Sequence, residues 1–264
     1  MLHSGVVLPV TAVYVAWQAE ALPELHRALL VDLDIDGDAI AEGDVDGALA
    51  TLRDSWSVLE QHGLARGRQV HPGLGRTLRL IAEAGRDYYA FFNSGDENTR
   101  SALVAVSGGE AVRVITLPDK HFVIEPVRAD EAPQALIAAL PEAPPGRGRV
   151  ISLPADALMP KAVGYQDTGS VLQKNRPASS PQEQQVQDLR RLLAEPRLGG
   201  GQLFAGHRDR TGKRVRVPKP VTFFDTPGGR YLQYEVNSGS GPWMTVQPGD
   251  FTTMASRLGA LATT

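Results

Sequence analysis

Carboxylates recur at alternate positions in Asp32-Leu33-Asp34-Ile35-Asp36-Gly37-Asp38, the arrangement that opens a calcium-binding loop. Such a loop needs oxygen ligands at its first, third and fifth positions, a glycine at the sixth, and a bidentate glutamate at the twelfth. Here the eighth position is Ala39 and the twelfth is Gly43, with Glu42 one place early. That shift takes a rigid ligand out of register, so the default expectation is an acidic, solvated loop. A calcium-responsive binding module using Asp32–Asp38 stands as the alternative.

No other group of residues has the spacing of a reactive site. His3, His26, His62, His71, His121 and His207 are scattered, with no i, i+4 pair to hold a metal. The absence of cysteine excludes disulfides, thiolate catalysis and cysteine-based zinc sites. There is no Gly-x-Ser-x-Gly elbow and no phosphate-cradling loop with lysine; Gly73-Leu74-Gly75 lacks the third glycine of a dinucleotide fingerprint. Gly146-Arg147-Gly148-Arg149 offers two arginines to an anion, yet it sits beside prolines as a connector. Asp225 lies near Arg230 and Tyr231 without a nucleophile. The expectation is therefore a binding protein with no enzyme activity, no cofactor and no metal. A hydrolase at the junction of two halves is a rival that a deep pocket with converging ionisable groups would support.

The formal net charge of −3 gives no basic excess for nucleic acid. The short basic run Arg208–Arg216 reads as a solvated hairpin loop. The longest apolar run, around Leu103–Val106, is far too short to span a bilayer, and no signal peptide is visible. A soluble, cytoplasmic protein is expected, a monomer or a weak homodimer.

Helical spacing of Val13, Trp17, Leu22, Leu25 and Leu29 predicts a helix over Thr11–Leu33, bent or divided at Pro23. Leu49–Leu64, ended by Gly63, and Leu74–Ala84 give two more. From Asp87 the period changes to that of strands: Tyr88–Phe92, Ala102–Val106, Ala111–Leu117 and Phe122–Pro126, joined by turns too short for parallel crossovers. Asp130 should cap a helix to Leu140, and Pro141–Gly148 is a rigid connector. Residues 161–181 read as a mobile loop, ending in the capping box Ser180-Pro181-Gln182-Glu183 of a helix to about Glu195. Strands follow at Gln202–Arg208, Val215–Phe224, Arg230–Val236 and Trp243–Val246, and Asp250 caps a last helix, Phe251–Leu261. Trp17, Trp56 and Trp243 fall on apolar stripes and are expected in the core.

This layout occurs twice. Arg79-Leu80-Ile81-Ala82-Glu83 leads into Tyr88–Phe92 as Arg191-Leu192-Leu193-Ala194-Glu195 leads into Gly200–Phe204, at one offset of 112 residues (79 to 191, 92 to 204). The Gly108-Gly109 turn matches Gly228-Gly229, and a strand ending at Pro126 matches one ending at Pro248. Two helix-sheet-helix halves, 1–145 and 146–264, are expected to form one α+β domain, joined edge to edge because each half alone leaves sheet edges unpaired.

The second half also carries a family resemblance. Leu189–Leu203, Asp209-Arg210-Thr211-Gly212-Lys213-Arg214, Phe224–Tyr231 and Trp243–Pro248 resemble the EspG family, the secretion-associated chaperones of actinobacterial type VII (ESX) systems. Pro145–Pro154 and the helix Leu49–Leu64 fit the same pattern, so the resemblance spans nearly the whole chain. It implies a pseudo-two-fold central antiparallel β-sheet flanked by helical bundles. It also implies a cytosolic chaperone that binds the helical tip of the PPE subunit in PE–PPE heterodimers and keeps them soluble for export. Family members grip that tip with a strand–strand loop, the sheet face and C-terminal helices. The partner-binding residues this implies here are Asn93, Asp96, Glu97 and Asn98 in the loop, Gln182, Gln185 and Arg190 on one helix, and Phe251 on the last. The loop is short for the family, and the acidic 32–46 stretch is not part of its pattern.

Overall fold

The run Tyr88-Tyr89-Ala90-Phe91-Phe92 is apolar at successive positions, which suits a strand covered on both faces. The computed structural model describes residues 1–31, 45–96, 98–158, 181–239 and 241–262. In it this run is the middle of strand β4 (Arg86–Asn93). The other strands are β1 (Val6–Pro9), β2 (Ala65–Arg66), β3 (Gln69–Val70), β5 (Arg100–Ser107), β6 (Glu110–Thr116), β7 (His121–Arg128) and β8 (Ile151–Pro154). In the second half come β9 (Gly199–Arg208), β10 (Arg214–Arg216), β11 (Val221–Thr226), β12 (Gly229–Ser238) and β13 (Gly241–Pro248). The helices are α1 (Val10–Ala19), α2 (Val45–Gln61), α3 (Pro72–Glu83), α4 (Ala132–Ile137), α5 (Pro181–Ala194) and α6 (Phe251–Leu261).

Eleven strands make one sheet, in the order β1-β7-β6-β5-β4-β9-β11-β12-β13-β8, with β10 also paired to β9. Every ladder is antiparallel. The seam between front and back strands is β4 against β9, paired from Arg86↔His207 to Asn93↔Gly200. Sheet and helices together make a mixed α/β fold.

Alternation along the strands assigns the two faces. Tyr89, Phe204, Leu103, Val112, Phe122 and their neighbours face α1, α2 and α3 in one cluster. Tyr88, Ala90, Phe92, Leu203, Phe223 and Leu232 point the other way, against α4 and α6. In the back strands, Phe224, Tyr231 and Val246 return to the first face and meet Leu189 of α5. The first face thus carries α1–α3 over one end and α5 over the other.

Several sequence expectations need correction. The predicted Thr11–Leu33 helix stops at Ala19, well before Pro23; a short strand, β1, precedes it and a single 3-10 turn, Arg27–Leu29, follows. Strand Val215–Phe224 is in fact two strands, β10 and β11, because Pro218 and Pro220 supply no N–H to a ladder. Asp130 does not cap: its carboxylate is drawn to Arg128, and α4 has Glu131 at its N-cap with no side-chain bond. The Gly108-Gly109 turn is matched in the β11–β12 connection by Pro227-Gly228, one place earlier than the sequence suggests. Of the tryptophans, Trp17 is fully buried while Trp56 and Trp243 are half-buried. The Asp250 cap stands as expected, its Oδ1 accepting from Thr253 N at 2.8 Å. Asp32–Asp38, the capping Ser180 and most of the 161–181 loop lie outside the described residues.

Candidate docking surface

Neither helical layer of the first face covers its middle. On β9, Gln202 is exposed although β9 is an interior strand of the sheet. Its cross-strand neighbours are Phe91 on β4 and Thr222 on β11, both half-buried. Gly200, Gln202 and Phe204 alternate along β9, so all three lie on this face. Asn93 and Phe224 flank Gly200, and Tyr89 flanks Phe204. The result is a strip along β9 with a polar centre and a largely buried aromatic cluster at each end.

Glycine lets the strands beneath the strip lie close together. A Cβ on Gly201 would lie 2.3 Å from the Phe91 carbonyl oxygen and 2.7 Å from Phe92 Cβ, so only glycine lets β9 sit this close to β4. A similar closeness joins the β4–β5 turn to the segment leading into β9. Gly95 has φ +81°, and a Cβ there would lie 2.5 Å from the Leu198 carbonyl oxygen.

At the Gly200 end, the Arg197 guanidinium lies 3.8 Å from the centroid of Phe224, which stacks on Tyr231 at 5.6 Å. Burial pushes the Arg197 pKa down, opposed by Glu195 nearby. Beside it, Leu198 is 53% exposed. At the Phe204 end, Tyr89 and Phe204 stack with centroids 4.9 Å apart, and Phe91 meets both edge-on. The Arg27 guanidinium sits 5.6 Å from the Phe91 centroid, and that of Arg216 sits 5.4 Å from Phe204. Each arginine lies within the range in which ring faces attract a cation.

Below this end lies Asp87, 1% exposed. Its carboxylate is paired with Arg214 Nε at 3.1 Å and with His26 Nε2 at 3.5 Å. The basic Arg208–Arg216 run is therefore not a simple solvated loop: Arg214 turns inward to a buried carboxylate, and Arg208 donates to the Ala82 carbonyl. His26 is itself buried, and its Nδ1 accepts from Ala28 N at 3.1 Å to cap the Arg27–Leu29 turn. Burial lowers its pKa from 6.5, against the pull of Asp87. Burial likewise pushes the Tyr89 hydroxyl up. A shallow cavity of about 300 Å³ opens here, bounded by His26, Arg27, Asp87, Tyr89, Arg214 and Arg216.

The sequence-predicted residues divide over this geometry. Asn93 is half-buried at the strip's edge, and Asp96 and Asn98 are exposed in the turn above it; Glu97 lies outside the described residues. Asp96 is held within the turn, its Oδ2 accepting from Arg100 Nη2 at 2.6 Å. Gln182 and Arg190 are exposed on α5 and Gln185 is half-buried, and the chain from α5 to β9 runs through Arg197 and Leu198. Phe251 is elsewhere. It is 50% exposed on α6, whose Met254, Ala255 and Leu258 pack on the opposite face of the sheet. Asp225 forms a buried two-pronged pair with Arg230, at 2.7 and 2.8 Å, also on that opposite face. Its partner is a structural guanidinium rather than a nucleophile. Among the described residues no group of three His, Asp or Glu is placed to hold a metal, and no helix is long and apolar enough to cross a membrane.

Gly199-Gly200-Gly201-Gln202 is the signal that could have marked the strip, since glycines inside a strand often record a close backbone approach. Arg27, Arg197 and Arg216 had no such signal, because their rings come from distant strands.

The fold is shared with a known protein. It matches the Mycobacterium tuberculosis type VII secretion system chaperone EspG5, solved in complex with a PE25–PPE41 dimer, with a TM-score of 0.65 over 97% of this chain and 95% of that one. Sequence identity is 12%, so that likeness speaks for the fold alone. No curated protein matches the chain in sequence. The sequence model of the EspG family does match, over residues 9–260, and the chain belongs to that family.

Proposed function

We propose that this protein is a cytosolic chaperone of type VII secretion that binds the helical tip of the PPE subunit in a PE–PPE heterodimer. Membership in the EspG family supports this reading, as does the shared fold with a chaperone solved on such a dimer. The observation that carries it is the strip around Gln202, a stretch of sheet left bare between two helical layers, with Gln202, Leu198, Arg27 and Arg197 exposed and Phe91 and Thr222 half-buried. An interior stretch of sheet left bare between helical layers is open for a partner element to pack on.

Docking would use the strip as its floor, the Asn93–Asn98 turn as one wall and α5, with Gln182, Gln185 and Arg190, as the other. Phe251 takes no part in this arrangement. By covering an apolar tip, the chaperone lowers the concentration of free tip and favours the soluble dimer by mass action. A largely polar docking surface then permits release at the secretion machine.

The sheet order favours a duplicated, pseudo-two-fold origin. Each half is a four-stranded meander whose outer strand pairs with one from the start of that half, β1 on β7 and β8 on β13. The register repeats as well: Val112 faces Pro126 in the first meander, and Tyr231 faces Pro248 in the second.

Co-expression with candidate PE–PPE pairs tests the reading. The wild-type chain should retain a pair through affinity purification and keep it in solution. Replacing Asp96, Glu97 and Asn98 together with alanine should weaken that retention. Failure of the wild type to bind any pair would reject the function, and unchanged retention by the triple variant would reject the place of the turn in it.

A further inference from the structure

We infer that the strip selects partners whose docking element carries carboxylates, read by Arg27 and Arg216 at one end and by Arg197 at the other. The inference rests on the docking reading above and names the chemistry the partner must bring. Its starting point is the grouping of three exposed arginines beside aromatic rings of the strip. Arg79, Arg100, Arg113, Arg128, Arg191, Arg214 and Arg230 each have a carboxylate within ion-pair distance. Among the described residues, Arg27, Arg197 and Arg216 have none, as is true of other surface arginines such as Arg66 and Arg68, but these three are exposed beside the aromatic rings of the strip.

Their surroundings suit a second layer of contact. Each guanidinium lies within reach of a ring face, 3.8 Å from the Phe224 centroid for Arg197, 5.6 Å from Phe91 for Arg27 and 5.4 Å from Phe204 for Arg216, which restrains it. A fixed, planar guanidinium loses little freedom when it takes a carboxylate in two-pronged fashion. Arg197 is already partly stripped of water, a cost visible in its lowered pKa. At the Arg27–Arg216 end the nearest buried acid, Asp87, is engaged by Arg214 and His26 underneath, and at the other end Glu195 acts on Arg197 from beyond ion-pair distance. Arginine is also among the residue types that most often dominate binding energy at protein interfaces.

The spacing sets the geometry of the partner. Gly200 and Phe204 are four residues apart on one strand, so the two ends are separated by roughly 13 Å. That is about nine residues of α-helix, or two and a half turns, when the helix lies along the strip. An apolar tip flanked by acidic residues at that separation would place one carboxylate at each end and its apolar side chains between them, over Phe91 and Thr222. The same field would steer an acidic partner toward the strip before contact.

The test uses the full-length chain and a PE–PPE dimer first captured by the wild type, then purified and identified. Dissociation constants are measured in 50 and 300 mM NaCl for the wild type, for R27E/R216E and for R197E, with melting temperature and circular dichroism checking that each variant is folded. We expect R27E/R216E to bind at least tenfold more weakly at low salt and to lose most of the salt dependence seen with the wild type. R197E should weaken binding as well, and an acid-to-lysine change on the dimer's tip should restore part of the affinity of R27E/R216E. A folded R27E/R216E that binds within threefold of the wild type at both salt concentrations overturns the charge inference while leaving the docking reading intact. A wild-type chain that captures no PE–PPE dimer removes both.

Discussion

Gly201 stands so close to Phe91 across the β4–β9 seam that a Cβ at position 201 would lie 2.3 Å from the Phe91 carbonyl oxygen. The contact is with backbone, near the Gly200 end of the ladder that makes one sheet of the front and back strands, so neither neighbour can step aside cheaply. Gly201→Ala should destabilise the fold by about 2 kcal/mol and lower the melting temperature by roughly 4–8 °C. Gly109→Ala, where a Cβ meets nothing within 4 Å, is the control and should stay within about 0.5 kcal/mol of wild type. Equal melting temperatures for the two variants would remove the seam's special need for glycine.

Arg230 is 4% exposed and holds Asp225 by two hydrogen bonds. Removing the guanidinium strands a mostly buried carboxylate, which costs more than the pair itself contributes. Arg230→Met should lose about 3–5 kcal/mol in chemical denaturation. Restoring most of that loss with the additional change Asp225→Asn would confirm the stranded charge as the cause. No recovery in the double variant would point instead to the lost packing of the guanidinium on Phe223.

His26 gives the fold an acid sensitivity at unusually mild pH. Burial lowers its folded-state pKa below 6.5, so the unfolded chain takes up a proton that the folded chain resists. Stability should therefore be full above pH 6.5 and decline as pH falls from 6.5 toward the folded-state value. Urea melts at pH 7.5 and 5.5 compare the wild type with His26→Asn, which keeps a capping side chain but does not titrate. The wild type should lose more stability than the variant between the two pH values. Asp130, Asp209 and Asp250 titrate below their ordinary range and do not contribute over this interval. Parallel losses in the two proteins would assign the effect elsewhere.

Asp250 caps α6 through both oxygens, one to Thr253 N and one to the Thr253 hydroxyl, each at 2.8 Å. Asp250→Ala should cost about 1 kcal/mol of stability. Because α6 lies on the face opposite the strip, capture of a PE–PPE dimer by the folded variant should be unchanged. Loss of capture without loss of fold would bring the α6 face into the docking surface.

Elements with local causes were legible in the sequence. Asp250 and Phe251–Leu261 follow from a capping residue and an apolar stripe, and strands β4–β7 from a period of two punctuated by turns. The seam was reached by a further step, since edges left bare on each half have to pair. Legibility ends where the cause is distant. Asp87 and Arg214 lie on segments far apart in the chain, so the basic loop read as solvated although one of its arginines is committed inward. The separation of Phe251 from the α5 residues was hidden in the same way, because only the alternation of Phe223 and Phe224 on β11 shows that α5 and α6 sit on opposite faces. The strip itself depends on what the helices leave uncovered, and no local pattern encodes an uncovered place.

The most direct test of the account is a photo-reactive side chain placed at Gln202 in one variant and at Phe251 in another, each irradiated with a bound PE–PPE dimer. The account predicts an adduct between position 202 and the PPE subunit, and none from position 251. An adduct from position 251 with none from position 202 would put the partner on the other side of the sheet and contradict it.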